Sequence, residues 1–280
     1  MDLAVFLAVL AAAACNAGWN AVVKGGGDAL VTAAVMSVCG GLFSLPFLVA
    51  VGLPNVAAWP WVGASVAIHL VYFASLIEAY RHGDLGQIYP LARGGAPLMT
   101  GIASAIWVGE RLSGIAWAGL LLLVVGVLTL SLGRGAAGRF NVRGVGFALT
   151  TAVTISTYSI VDGLGARASG DAAAYTLTLF VGCAVTMSLY AVARRGVSAL
   201  AVDGRRWRIG LFGGAMQVVS YGIVVWAMTV APIALVAALR ETSVLFGALI
   251  AVAVLKERLD LGRVLSALLI VGGLAALRLA

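Results

Sequence analysis

The chain alternates between long apolar runs and short polar breaks along its whole length. Most runs have about twenty residues, the length that an α-helix needs to cross the hydrocarbon core of a bilayer. A membrane-spanning β-barrel would instead show segments of about ten residues with alternating polarity. The pattern predicts ten transmembrane helices, at residues 3–23, 30–51, 60–80, 84–107, 113–132, 142–160, 173–193, 207–229, 232–254 and 262–279.

The composition indicates that the bilayer is the solvent for most of the chain. Of the 280 residues, 62% are hydrophobic and 10% are charged, whereas soluble domains carry about 25% charged residues. In hydrocarbon every backbone N–H and C=O must be paired within the protein, which leaves helices or closed barrels. We therefore predict an all-α polytopic membrane protein. Asp2 precedes the first run, which is too long for a signal peptide, so we expect a span there.

The net charge of +7 would suggest nucleic-acid binding in a soluble protein. Here the basic residues lie in short loops, so we expect them to orient the protein in the membrane and expect no nucleic-acid partner. The loops after spans 1, 3, 5, 7 and 9 hold 13 Lys and Arg, against three on the other side with both termini included. The positive-inside rule then places these loops in the cytoplasm and both termini outside.

The second part of the chain repeats the first. A shift of 147 positions, without a gap, brings Arg93 onto Arg240 and Glu110-Arg111-Leu112 onto Glu257-Arg258-Leu259. Apolar matches are common in membrane proteins, but charged matches at one offset are not, because the chain has so few charges. We infer that the chain contains two homologous units.

A glycine- and arginine-rich stretch separates these units. We predict a first five-helix half at 1–133, a linker at 134–141 and a second five-helix half at 142–280. Because five is odd, the second half must enter the membrane upside down relative to the first. The expected architecture is a 5+5 inverted-topology repeat, in which secondary transporters place their substrate site near the midplane, between the repeats.

Several short motifs lie within the spans or at their ends. A glutamate follows the fourth span of each half, in Gly109-Glu110-Arg111 and in Lys256-Glu257-Arg258. The other motifs are Trp19-Asn20 followed by Lys24 in span 1, Tyr80-Arg81-His82-Gly83-Asp84 after span 3, and Tyr89-Pro90-Leu91-Ala92-Arg93-Gly94 in span 4. With these motifs the chain resembles the drug/metabolite transporter (DMT) superfamily, specifically proteins with two EamA domains. The resemblance covers nearly the whole chain and implies a ten-helix permease.

Ionisable residues inside the spans are the main functional candidates, because a charge in hydrocarbon is costly. Arg93 lies halfway along span 4, Arg240 and Glu241 lie a third of the way into span 9, and Asp162 closes span 6. If a two-fold axis in the membrane plane relates the halves, the two arginines occupy equivalent positions and could face one cavity. Paired guanidinium groups suit a carboxylate, phosphate or phosphonate. Alternatively, Glu241, Asp162 or Glu78 pairs with them and only locks helices together.

Other polar and aromatic residues complete the predicted cavity lining. Asn16 and Asn20 share one face of span 1 and could bind a ligand or hydrogen-bond between helices. His69 in span 3 is either a satisfied buried group or a proton relay. The remaining candidates are Trp19, Tyr89 and Gln217.

Two further groups of residues are interpreted as structural. Glu110 and Glu257 lie at span ends beside arginines, where we expect loop anchors and not ligands. The glycines, including the four-residue spacing of Gly210 and Gly214, predict close packing of helices.

These features favour a secondary transporter for a small polar metabolite, anionic or zwitterionic, in the inner membrane. The absence of a Walker motif argues against direct ATP use, which leaves an ion gradient, exchange or downhill flow. The alternatives are a multidrug cation exporter, which would need an unpaired acid in the membrane, and a non-transporting scaffold. An enzyme is not expected, because neither HExxH nor GxSxG is present.

The expected partners are a small-molecule substrate and the lipid bilayer, with the protein as a monomer or a homodimer. We expect no cofactor and no metal ion. Cys15, Cys39 and Cys183 all lie in apolar runs, and their spacings fit neither a zinc site nor a disulfide framework.

Overall fold

The structure, a computed structural model, describes residues 1–23, 28–82, 85–132, 142–253 and 261–280. Within these residues the chain is helical, with 3₁₀ turns at Val56–Ala58 and Val197–Leu200, a π-helical turn at Ser104–Val108, and no strand. The α-helices of the described ranges are α1 (Leu3–Val23), α2 (Ala29–Val51), α3 (Trp59–His82), α4 (Leu85–Ala103), α5 (Gly114–Leu132), α6 (Val142–Ser169), α7 (Ala172–Arg195), α8 (Gly204–Val230), α9 (Ile233–Arg240), α10 (Ser243–Ala253) and α11 (Leu261–Leu279). The predicted linker at 134–141 lies outside the described residues.

Aspartates mark the start of four of the described helices, the first being Asp2, which accepts a hydrogen bond from the amide of Ala4 at 2.8 Å. Asp28 accepts a hydrogen bond from the amide of Leu30 at 2.9 Å, and Asp171 accepts one from Ala173 at 2.8 Å. Asp203 does the same at the start of α8. Each carboxylate satisfies an amide that has no partner within its helix, and its charge is favourable beside the helix N-terminus.

Five of the described helical segments are long and apolar enough to cross a membrane: Ala29–Val51, Val56–Ala79, Val142–Ser169, Ala172–Arg195 and Gly204–Val230. Shorter apolar helices lie at Leu3–Gly18, Gly114–Thr129 and Val264–Leu279. The predicted spans 4 and 9 are not in either group. These are the spans that carry Arg93 and Arg240.

The sixth helix is longer than predicted, and the expectation that Asp162 closes span 6 is wrong. α6 continues to Ser169, and Asp162 is fully buried within it. The Asp162 carboxylate accepts hydrogen bonds from the hydroxyl groups of Tyr175 and Tyr221. Because α7 and α8 supply these partners, the helix can carry the carboxylate through the protein interior.

The predicted span 9 is not one continuous helix. α9 ends at Arg240 and α10 begins at Ser243, so Glu241 and Thr242 form a break. At the break the amides of both residues bond to carbonyls three residues earlier, and the Thr242 hydroxyl donates to the Leu239 carbonyl at 2.7 Å. These bonds satisfy backbone groups that the break would otherwise leave unpaired, which is the condition for interrupting a helix away from water.

The helices α5 and α11 pack tightly through glycines. A Cβ at Gly126 would lie 3.0 Å from the backbone nitrogen of Ile270, and a Cβ at Gly273 would lie 2.9 Å from that of Leu123. Gly126 and Gly273 are 147 positions apart, and so are Leu123 and Ile270. Each contact is therefore the repeat equivalent of the other, with the roles of α5 and α11 exchanged. Reciprocal contacts of this kind arise at a two-fold axis.

The helices α5 and α11 run antiparallel to each other. Gly119, near the start of α5, packs against the backbone of Leu277 near the end of α11, whereas Gly126 packs against Ile270. A two-fold axis between antiparallel helices runs across them and not along them.

Other helix pairs follow the same exchange. The 147-position shift relates α1 to α6, α3 to α8, and α4 to α9 and α10. The packing of α3 against α6 is matched by that of α8 against α1, and the packing of α4 against α6 is matched by that of α9 and α10 against α1. Between α2 and α8, a Cβ at Gly214 would lie 2.6 Å from the backbone nitrogen of Gly40, and a Cβ at Gly210 would lie 2.6 Å from Val35 Cγ1. The close packing predicted for Gly210 and Gly214 is therefore confirmed.

Candidate functional site

Two arginines meet one carboxylate at the break after α9. The Nε atom of Arg93 lies 2.8 Å from Oε2 of Glu241, and Nη2 of Arg240 lies 3.3 Å from Oε1 of the same residue. The side chains of Arg93, Arg240 and Glu241 are 14%, 8% and 1% exposed. We call these three residues the charged triad. With both guanidinium groups and the carboxylate ionised, its formal charge is +1.

The positions of the triad follow from the repeat and from the helix break. Arg93 on α4 and Arg240 at the end of α9 are 147 positions apart, whereas the position equivalent to Glu241 is Gly94. One half alone therefore supplies the acid, and both arginines converge on it. The break also places the start of α10 beside Arg93, whose Nη2 donates a hydrogen bond to the hydroxyl of the buried Ser243 at 3.3 Å.

Two tyrosines line the arginines. The Tyr72 side chain is in electrostatic contact with Arg93. The Cζ atom of Arg240 lies 5.4 Å from the centre of the Tyr158 ring, within the range of a cation–π interaction. These contacts give each guanidinium partners in addition to Glu241.

His69 and Asp162 belong to a second polar cluster beside the triad. The His69 ring stacks on that of Tyr158 at 4.3 Å, and its Nδ1 lies 3.0 Å from the Ser65 carbonyl, which can only accept. His69 is in electrostatic contact with both Asp162 and Arg240. Asp162 itself is held by tyrosine hydroxyls, at 2.9 Å for Tyr175.

The structure thus brings together five of the predicted residues: Arg93, Arg240, Glu241, His69 and Asp162. Sequence reasoning did not select Tyr175 and Tyr221, the two donors to Asp162. A tyrosine in an apolar run is ambiguous, because it packs as readily as it hydrogen-bonds. The four-residue spacing of Tyr158 and Asp162 on one face of α6 is the one local signal that points to this cluster.

The remaining predicted residues are placed less closely or lie outside the description. Asn16 on α1 and Gln217 on α8 are half-buried. α1 and α8 are joined nearby by the Ser220 hydroxyl, which donates to the Ala12 carbonyl at 2.9 Å. The side chains of Trp19, Asn20 and Tyr89 are outside the described residues, as are the whole residues Lys24 and Glu257.

Glu110 lies in the loop before α5, and its side chain reaches the start of α9. Its carboxylate accepts hydrogen bonds from the amides of Ile233 at 2.7 Å and Ala234 at 3.2 Å, and pairs with Arg167 Nη2 at 3.3 Å. Gly109 adopts a left-handed conformation (φ 75°) that turns the chain toward α9 after the π-helical turn. This carboxylate satisfies amides at a helix N-terminus and so couples the two halves.

Arg167 completes the same clamp from α6. Its Nε donates to the Met228 carbonyl at 2.9 Å and its Nη2 donates to the Ala231 carbonyl at 3.1 Å. Glu110 and Arg167 together therefore hold the turn between α8 and α9. That turn stands at one end of α9, and the charged triad stands at the other.

A cavity of about 910 Å³ lies between α2, α7 and α8. Its wall is largely apolar and includes Phe43, Phe47, Leu177 and Trp226. None of the triad residues lines it. Several of its side chains are among the exposed apolar residues that face the bilayer in a membrane protein, Phe47 and Trp226 being 49% and 42% exposed. We therefore place the candidate site at the charged triad and not in this groove.

Among the described residues no group of three His, Cys, Asp or Glu side chains is arranged to hold a metal ion. The chemistry of the site is that of paired guanidinium groups, one shared carboxylate and surrounding hydroxyls.

Comparison with known proteins identifies the fold and the family. No curated protein sequence matches the chain. A solved structure titled "Crystal structure of protein" superposes with a TM-score of 0.82 at 19% identity, covering 100% of this chain and 98% of the other. At that identity the likeness shows the fold. The model of the EamA-like transporter family matches twice, at residues 2–132 and 142–279. The chain therefore belongs to the EamA-like transporter family of the DMT superfamily and is a multi-pass membrane protein.

Proposed function

We propose that the protein is a secondary transporter that moves a small anionic or zwitterionic metabolite across the inner membrane. The observation that carries the proposal is the convergence of Arg93 and Arg240, equivalent residues of the two halves, on Glu241. Membership of a transporter family supports the general activity. The charge of the triad supports the class of substrate.

The charged triad favours an anion for electrostatic reasons. Glu241 compensates one guanidinium charge, so the group of three carries a formal charge of +1 in a site that is at most 14% exposed. In such surroundings charge interactions are weakly screened, so a group with a net positive charge attracts an anion. A bound carboxylate or phosphate can accept paired N–H donors from a guanidinium group. A cationic substrate would increase the repulsion.

We further propose that the two halves form a 5+5 inverted repeat. Its support is the exchange of Gly126–Ile270 with Gly273–Leu123, together with the antiparallel packing of α5 and α11. In this arrangement the axis passes near Glu241, where one acid meets both arginines. Secondary transporters of this architecture bind substrate near the midplane and often at broken helices.

The broken helix supplies a route for alternating access. α9 has eight residues, with the Glu110–Arg167 clamp at one end and the triad at the other. A rigid segment of this kind can tilt about the Glu241–Thr242 break without unfolding. Substrate contact with Arg240 and Glu241 would then change the strain on the clamp, which links site occupancy to opening on that side.

A ligand screen on the purified protein tests the substrate class. Thermal unfolding in detergent would be measured with organic anions, amino acids and cationic dyes at equal concentrations. We expect at least one anion or zwitterion to raise the melting temperature of the wild type, and the shift to disappear in Arg93→Gln. Arg205→Gln, which removes a charge from an exposed position, is the matched control and should keep the shift. Stabilisation by cationic dyes alone would overturn the proposal.

A further inference from the structure

A second, polar pocket lies where α2 begins and where α3 and α7 end. Its volume is about 340 Å³, and three arginines line it. Arg81 is in the last turn of α3, and Arg194 and Arg195 are in the last turn of α7. We call this site the arginine pocket.

Two carboxylates hold the arginines in place. Glu78 Oε1 lies 3.0 Å from Arg81 Nη1 and 3.2 Å from Arg194 Nη2, and Asp28 Oδ2 lies 2.8 Å from Arg195 Nη2. The Arg194 guanidinium also lies over the Tyr190 ring, at 5.9 Å. Among the described residues that line the pocket or pair with its arginines, three guanidinium groups against two carboxylates leave a formal charge of +1. This part of the lining is therefore formed before any ligand arrives and has a net positive charge.

The arginines retain donors that face solvent. A guanidinium group has five N–H donors, and each ion pair here engages one terminal nitrogen. The three side chains are 52%, 50% and 49% exposed. Converging guanidinium groups recognise planar or tetrahedral oxyanions, and phosphate in particular accepts paired N–H donors.

The location of the pocket limits the ligand. It lies on the side of the basic loops, which carry 13 of the Lys and Arg against three on the other side. Leu30 and Ile77 are apolar residues of the pocket lining. Basic pockets between transmembrane helices on the cytoplasmic side suit anionic lipid headgroups.

We propose that the arginine pocket binds a phosphate group, contributed by an anionic phospholipid headgroup or by free phosphate. Binding would tie α3 of the first half to α7 of the second, because their arginines would share one ligand. The site is separate from the charged triad and does not depend on which substrate is transported.

Native mass spectrometry with added phosphatidylglycerol or phosphatidylcholine tests the lipid source, and thermal unfolding with inorganic phosphate tests the free ion. The pocket variant is Arg81→Gln with Arg194→Gln. The matched control is Arg205→Gln with Arg208→Gln, which removes the same charge from exposed positions at the start of α8. We expect phosphatidylglycerol to bind in preference to phosphatidylcholine, and its affinity to fall about tenfold in the pocket variant alone, equivalent to about 1.4 kcal/mol.

The outcomes separate the sources. Phosphatidylglycerol binding without a phosphate-induced shift identifies a lipid headgroup site; a phosphate-induced shift that the pocket variant loses identifies a site for the free ion. Equal loss in the pocket and control variants, or no binding of either probe, would overturn the proposal. Arg194→Lys keeps the charge but not the paired donors, so it tests the site if the double variant does not fold. Wild-type affinity in Arg194→Lys would contradict recognition by the guanidinium group.

Discussion

The Nε atom of Arg93 lies 2.8 Å from Oε2 of Glu241, which joins α4 of the first half to the break between α9 and α10 in the second. The same carboxylate contacts Arg240, the repeat equivalent of Arg93. A duplicated sequence would place an arginine on each side of a symmetric centre. The single acid makes that centre asymmetric, so the two arginines are equivalent in origin but not in surroundings.

Removing the shared acid should destabilise the protein. In Glu241→Gln two buried guanidinium groups lose their common counter-charge, and breaking a buried ion pair typically costs about 3–5 kcal/mol. The measurement is thermal or denaturant unfolding in detergent. Asp171→Asn is the control, because asparagine also caps a helix, and it should stay within about 0.5 kcal/mol of the wild type. A Glu241→Gln variant as stable as this control would show that the acid does not compensate the arginines.

The reciprocal glycine contacts predict matched effects in the two halves. In Gly126→Ala the new Cβ would lie 2.7 Å from Ile270 Cγ1, and in Gly273→Ala it would lie 2.8 Å from the Gly119 carbonyl oxygen. Overpacking of this kind costs about 1–3 kcal/mol. We expect both variants to lose stability by similar amounts, measured by unfolding.

Gly146→Ala is the control for this pair, since a Cβ there meets no atom within 4 Å. It should be neutral or gain up to about 1 kcal/mol from helix propensity. A large effect in one of Gly126→Ala and Gly273→Ala and none in the other would contradict an internal two-fold relationship.

Glu110 and Arg167 should act as a coupled pair. Glu110→Ala leaves two amides of α9 without their acceptor, and Arg167→Ala leaves two carbonyls without their donor. A double-mutant cycle on unfolding free energy should give a coupling of about 0.5–3 kcal/mol. The control cycle combines Glu78→Ala with Arg167→Ala. These two residues do not share partners, so their effects on the unfolding free energy should be additive. Additivity in the Glu110–Arg167 cycle would mean that the clamp does not act as a unit.

The charge bias predicts the orientation of the chain. With 13 Lys and Arg on the side of the odd-numbered loops against three on the other, the C-terminus should lie outside the cytoplasm. Fusions of alkaline phosphatase and of a fluorescent protein after Ala280 report the two sides. An active phosphatase fusion and a dark fluorescent fusion are expected, and the opposite result would reverse the orientation.

The sequence was sufficient for the all-helical class and for the arginine pair, because both depend on patterns within the chain. Apolar runs are set by the bilayer, and the 147-residue offset relates Arg93 to Arg240 without a structure. The break after Arg240 was not predicted, since Glu241-Thr242-Ser243 interrupts the apolar pattern only briefly. The extension of α6 past Asp162 depends on hydroxyl donors from α7 and α8, which a linear pattern cannot reveal.

The partners of Glu110 also could not be predicted from the local sequence. Its position beside Arg111 at a span end suggested a loop anchor. Its partners are the amides of Ile233 and Ala234, more than a hundred residues away. No spacing rule within one half connects these residues, because the contact exists only once the two halves have packed.

The most direct test of the account is transport by Arg93→Gln in proteoliposomes, with the anion that stabilises the wild type most as the substrate. In this variant Arg240 and Glu241 neutralise each other, so the site loses its net positive charge while the buried acid keeps a partner. We predict uptake at background level from a folded, inserted protein, with Arg205→Gln retaining wild-type rates and Arg93→Lys recovering little. Wild-type uptake by Arg93→Gln, or by the double variant Arg93→Gln, Arg240→Gln, would contradict the account and leave the arginines with a purely structural role.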